Sequence, residues 1–343
     1  MWVWVLFIAF IILCLALDLG VFNKEDHVIK TKEAAKWTSV WVGLALLFAG
    51  VVWWLFDSGE VANPTNMSPN NAVLAYLAGY LTELSLSIDN VFVIAVIFSS
   101  FKIPAKYQHR VLFWGILGAI VFRALMIVFG IALISKFDWM VYVFGLFLLY
   151  TSYSMLKNDD EVDPKNSWFY KKLSKLFPIT NEISGHDFFI VRNSKKYATP
   201  LFMALMVIEL TDILFALDSI PAVLAITTDE FIVFSSNILA ILGLRSMFFL
   251  IVGMLEKFRF INYSLVAILA FVGLKFLFVH YLESLGYHIP HWVSLLVIGV
   301  SLAAGILASL LIKPAKEDEK DLKKYGDEQE EAFRKLDDEE KSR

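Results

Sequence analysis

The sequence predicts an all-α integral membrane protein of about nine transmembrane helices, with two inverted three-helix repeats. Three observations predict it. Long apolar segments recur along most of the chain, basic residues gather in alternate connections between them, and one acidic motif is written twice. The copies are TELSLSIDNVFVIAV, starting at Thr82, and TDILFALDSIPAVLA, starting at Thr211. In each, a Thr-acid pair is followed, after five residues, by Asp and a small polar residue. Glu83 thus matches Asp212, Asp89 matches Asp218 and Asn90 matches Ser219.

Of the 343 residues, 58% are hydrophobic and only 19% charged, a balance that belongs to membrane proteins. The formal net charge of −4 resides mostly in the loops and the C-terminal tail. The first apolar segment, Trp2–Leu19, lacks the basic start and small-residue site of a cleaved signal peptide, and ends on Asp18. It is expected to be a span. Next come Trp37–Phe56, then a first unit of three, Ala72–Ser99, Val111–Ile134 and Trp139–Leu156. The second unit is Thr199–Thr227, Ile232–Leu255 and Tyr263–Val279, and Trp292–Ile312 closes the set. Arg123 (FRALMIVFG) matches Arg245 (LRSMFFLIVG), and Gly145 (VFGLFLL) matches Gly273 (FVGLKFL). An odd number of spans per unit makes the second unit enter from the opposite side, which relates the two by a pseudo-two-fold axis in the membrane plane.

The connections set orientation. Lys24, Lys30, Lys32 and Lys36 follow the first segment; Lys102, Lys106 and Arg110 follow the third. The fifth is followed by a run from Lys157 to Lys196, and the seventh by Lys257 and Arg259. The intervening loops, such as Asp57–Asn71, Thr227–Phe231 and His280–His291, carry no Lys or Arg, with Lys136 the exception. The positive-inside rule then places the N-terminus outside and the C-terminus in the cytoplasm. A membrane domain over residues 1–313 therefore holds repeats at 72–156 and 199–280, a cytoplasmic loop at 157–198 and a charged cytoplasmic tail at 314–343. The WFYKKL cluster in the loop suggests an interfacial helix.

Six acids fall in or at the edge of apolar spans: Asp18, Glu83, Asp89, Glu209, Asp212 and Asp218. A carboxylate at a helix centre costs about 2.5–3.5 kcal/mol on insertion scales, so six unpaired ones would cost on the order of 15–20 kcal/mol. Arg123, Arg245 and Lys275 are the candidate structural counter-ions for half of that charge. The surplus, with no soft ligands beside it, suits a hard divalent cation held by oxygen: Mg²⁺, Ca²⁺ or Mn²⁺. Asn90, Thr82, Ser85, Ser87, Thr211 and Ser219 add neutral oxygens. Residues six apart on an ideal helix differ by about 120° and about 9 Å, so Glu83 and Asp89 cannot chelate one ion from a straight helix. Pro221 suggests a break in the second copy that frees the Leu217 carbonyl. Glu209 and Asp212 share a face.

ELSLSIDNVFVIAV, ELTDILFALDSIPAVLAI and NILAILGLRSMF closely resemble the TerC/Alx family of bacterial and plastid membrane proteins, within the broader LysE-like transporter superfamily. LALDLGVFNK resembles that family's first helix. The resemblance implies a multi-pass protein of the bacterial cytoplasmic (inner) membrane that exports manganese along an intramembrane acid path. That path maps onto Asp18, Glu83, Asp89, Glu209, Asp212 and Asp218. Asp89 and Asp218 are the expected central ligands, Glu83, Asp212 and Glu209 flank or complete the site, and Asp18 lies on the approach. Clustered carboxylates repel and hold a proton when empty, so export is expected to exchange with protons.

Enzyme readings fail on motif: there is no GxGD for an intramembrane aspartyl protease and no DxxDGxxAR for a headgroup transferase. The single cysteine, Cys14, excludes an internal disulfide. No cofactor is expected beyond the transported ion. The expected partners are a divalent metal ion and membrane lipid, with proteins possible at the cytoplasmic loop and no nucleic acid. The alternative function is a membrane hub supporting metal delivery to, or assembly of, exported proteins without transport. Its supporting feature is the basic 157–198 loop.

Overall fold

The computed structural model describes residues 2–22, 31–64, 66–137, 139–157, 178–180, 185, 187–192, 195–252, 260–284 and 290–312. The long helices are α1 (Trp2–Phe22), α2 (Thr31–Ser58), α3 (Pro69–Ser100), α4 (Ala105–Lys136) and α5 (Met140–Lys157). After a short antiparallel hairpin, β1 (Phe189–Arg192) with β2 (Lys195–Ala198), follow α6 (Pro200–Leu224), α7 (Glu230–Leu242), α8 (Leu244–Val252), α9 (Ile261–Ser284) and α10 (His291–Leu311). The protein is helical and multi-pass. Among the described residues, α2, α3, α4, α5, α6 and α10 are each long and apolar enough to cross a bilayer, and the bent pair α7–α8 is a seventh candidate when counted as one span. Shorter apolar stretches occupy α1 (Trp2–Leu17) and α9 (Tyr263–Phe278).

Helix starts are written into the chain. Ser68 caps α3 by accepting from the Asn71 N–H, with Pro69 in the first turn, where its missing donor is no loss. Pro200 opens α6 in the same way. Asp229 caps α7, its Oδ1 accepting from the Ile232 N–H at 3.0 Å.

The helix carrying the first motif copy is the hub. α3 packs against α2, α6, α7, α8 and α10, and is the most buried of the six unbroken candidate spans. The α7–α8 pair is buried almost all round, from Phe231 to Phe248, as an apolar helix inside a bundle must be. Lipid-compatible surface lies on the outer helices, where Leu47, Leu125, Val128, Leu146, Val300 and Leu307 are exposed. An apolar band of that extent belongs in hydrocarbon.

Two local expectations need comment. The break proposed at Pro221 is absent: α6 runs through it from Pro200 to Leu224. Pro221 removes the donor that would bond the Leu217 carbonyl one turn back, and α6 keeps its helical course across that lost bond. The chain bends instead at Gly243, by 45° between α7 and α8, immediately ahead of Arg245. The interfacial helix expected at WFYKKL and the 314–343 tail lie outside the described residues.

Candidate functional site

The two motif copies meet. α3 and α6 pack on each other, and α4 lies along α6 and carries Arg123 to them. The guanidinium is buried between two carboxylates that correspond in the repeat. Nη1 donates to Glu83 Oε1, Nη2 to Asp212 Oδ1 at 3.0 Å and Nε to Asp212 Oδ2 at 3.4 Å. The Asp212 contact is a two-pronged fork, which only arginine's planar donor set makes. Nη1 also reaches Ser219 Oγ at 3.1 Å, and Ser87 Oγ donates to Glu83 Oε1 at 3.3 Å. Side-chain exposure is 1% for Arg123, 0% for Glu83 and 12% for Asp212, so the cluster is largely cut off from water and reached only at Asp212.

Charge does not balance in that cluster. Glu209 sits one turn before Asp212 on α6, and its carboxylate fills the space a side chain at Gly118 of α4 would need. Two acids thus face one arginine, and Glu209, a turn from Asp212, adds a third carboxylate nearby that Arg123 does not contact. Glu83 Oε2, Glu209 Oε2 and Asn90 Nδ2 are buried without a hydrogen-bond partner among the described residues. Unsatisfied buried carboxylate oxygens require a proton, water or a cation. A small cavity of about 20 Å³ touches Asn90 of the first copy and Thr211 and Asp212 of the second, but not Glu83 or Glu209, and apolar residues such as Ile94, Ile116 and Phe215 make up most of its wall. That is room for one water-sized sphere.

Other candidate residues stand apart. Asp218 accepts from Thr151 Oγ1 of α5 at 2.9 Å, outside the Arg123 cluster. Thr82 and Thr211, also equivalent in the repeat, each donate to the carbonyl four residues back, Ala78 at 2.8 Å and Val207 at 2.7 Å. Arg245 is buried on α8, two residues past the bend. Lys275 donates to Ser294 Oγ at 3.1 Å and meets no carboxylate at ion-pair distance among the described residues. Asp18 and Asp89 lie on α1 and α3, but their side chains fall outside the described residues. Among the described residues, no three His, Cys, Asp or Glu side chains are placed to hold one metal ion together. The sequence reading missed Thr151 and Gly118. Thr151 opens a polar run, TSYS, in an apolar segment, which was the available signal; nothing local marks Gly118 as the seat of Glu209.

Fold and site together define a multi-pass helical membrane protein with a buried ionic centre where two motif copies meet. The chain belongs to the integral membrane protein TerC family, whose profile matches residues 68–317. It is 50% identical to "Uncharacterized membrane protein STKORF319" of Myxococcus xanthus over 309 residues, 90% of this chain and 92% of that one. It is 45% identical over 300 residues to "Putative membrane-bound redox modulator Alx" of Escherichia coli K12, covering 86% of this chain and 90% of that one. A membrane protein of Rickettsia bellii is 41% identical over 311 residues, 90% of this chain and 97% of its own. No solved structure matches the chain.

Proposed function

We propose that the protein is a secondary transporter that exports a divalent metal ion, Mn²⁺ foremost, from the cytoplasm through an intramembrane carboxylate site in exchange for protons. The observation that carries this reading is the convergence of Glu83 and Asp212, equivalent acids of two motif copies, on Arg123 in a largely buried centre with carboxylate oxygens to spare. Arginine neutralises one charge, and the remainder suits a hard cation with oxygen ligands. Asp89 and Asp218 are assigned as the ligands that receive the ion, with Glu83, Asp212, Glu209 and Asn90 beside them and Asp18 on the approach. When no metal is present, mutual repulsion favours a bound proton, which an arriving ion displaces.

Inverted repeats support alternating access. Gly145 of α5 packs against Leu277 of α9 and Gly273 of α9 against Leu149 of α5, while each glycine faces the other's carbonyl. Such reciprocity, residue i on j and j on i, is what a two-fold relation between the repeats would produce, and so supports the reading. The seven candidate spans plus the shorter apolar helices α1 and α9 fit a nine-span, N-outside arrangement.

The redox description belongs to the relatives that bear it. This chain has one cysteine, Cys14, buried on α1, and so cannot form an internal dithiol. Ion uptake into inverted membrane vesicles tests the proposal, with Mn²⁺, Ca²⁺, Mg²⁺ and Zn²⁺ compared under an imposed pH gradient. Saturable Mn²⁺ uptake supports it. Uptake no greater than in vesicles lacking the protein contradicts it.

A further inference from the structure

Two cavities open side by side at the end of the bundle where α2, α4 and α6 finish, and their linings differ in charge. One, of about 680 Å³, is bordered by Glu60, Asp229 and Glu230. Its neighbour, of about 540 Å³, shares Ile134 and Thr228 with it but is lined by Lys275 and His291 with no carboxylate among the described residues. We propose that the second cavity is a binding site for a phosphate-class oxyanion, held by Lys275.

Lys275 is not part of the duplicated machinery. Two residues past Gly273, it matches Phe147, two past Gly145, so the repeat has an aromatic where this chain places an ammonium. The side chain is 8% exposed, and Ser294 Oγ takes one of its three N–H donors. Among the described residues its other two donors meet no partner and its charge no counter-charge. A buried cation without a counter-charge is costly, and an oxyanion supplies both the charge and the acceptors. The lining favours the same ligand. The N-termini of α3, at Ser68 and Asn71, and of α10, at His291, both border the cavity and bring the positive ends of two helix dipoles to it. His291 Nδ1 is buried there without a partner among the described residues. Leu224, which ends α6, and the following Ala225 and Ile226 also border the cavity, and this negative helix end works against the two positive ones. A divalent cation would be repelled from this cavity and favoured by its acidic neighbour.

Such an oxyanion has two sources, free phosphate or the headgroup of an anionic phospholipid. The experiment separates them and requires no transport. Full-length protein in detergent is titrated with inorganic phosphate and followed by ³¹P NMR, and lipid retained from bilayers containing phosphatidylglycerol is identified by mass spectrometry. Binding of either is expected, with Lys275→Met weakening it about tenfold or more and Lys275→Arg retaining it. Phosphate binding identifies the soluble source; retained phosphatidylglycerol lost in Lys275→Met identifies the lipid. A second variant guards against misfolding. Asn71→Asp places a carboxylate in the same lining and is expected to abolish binding while leaving the protein folded. Failure of the wild type to bind either, or binding unchanged in both Lys275→Met and Asn71→Asp, overturns the proposal.

Discussion

Arg123 is the residue on which the buried centre depends. It pairs with Glu83 and Asp212 at once, so removing it strands two carboxylates in a largely buried centre. Breaking a buried pair in this way costs about 3–5 kcal/mol. Arg123→Leu is therefore expected to lower the thermal midpoint of the detergent-solubilised protein sharply, and Glu83→Gln added to it should recover part of the loss. A midpoint unchanged in Arg123→Leu would mean the acids are not ionised there. Asp229 gives a prediction with a pH sign. Burial, and less strongly the neighbouring Glu230, push its carboxyl above the usual range, while backbone N–H groups at the start of α7 pull the other way. The folded state then holds more protons than the unfolded one between the ordinary carboxylate value and the raised one, so stability falls as pH rises through that window. Asp229→Asn keeps a capping oxygen and removes the charge; it is expected to raise the midpoint at neutral pH and flatten its pH dependence. Asp229→Ala loses the cap and should cost about 1 kcal/mol. At this scale, the equivalence of Glu83 and Asp212 was legible because both copies sit on the page. Their sharing of one arginine was not: the rotation of α4 about its axis decides which acid its guanidinium meets, and apolar segments buried on several sides carry little periodicity to reveal it.

Among the elements, each expected apolar segment falls on a helix or helix pair, because continuous apolar length is a strong signal, but among the described residues six or at most seven of the nine are long and apolar enough to count as spans. Breaks were harder. Pro221 suggested one and α6 runs through it, whereas Gly243 lies in an apolar run with no proline and marks a 45° bend. A proline removes one bond to the turn before it, which α6 tolerates without breaking, and Gly243 carries no local sequence signal for a bend. The α5–α9 contact makes the prediction at this scale. A Cβ on Gly145 would lie 3.0 Å from the Gly273 carbonyl oxygen, and one on Gly273 would lie 2.9 Å from that of Gly145. Gly145→Ala and Gly273→Ala should each destabilise by about 1–3 kcal/mol from overpacking, offset by up to about 1 kcal/mol of helix propensity. If the contact is two-fold, the two losses are similar; a loss confined to one variant argues against that symmetry.

For the whole molecule, the proposed export runs through an ionic centre at the meeting of two motif copies, in an orientation expected from loop charge. Inverted vesicles expose the proposed cytoplasmic face, so an exporter loads them with Mn²⁺. The most direct measurement is that uptake for wild type and for the Asp89→Asn, Asp218→Asn double variant, which keeps side-chain size and oxygen but removes two charges and their titration. Uptake at background level in the double variant, at normal expression and thermal midpoint, is the predicted result. Full Mn²⁺ uptake by that variant would contradict the account.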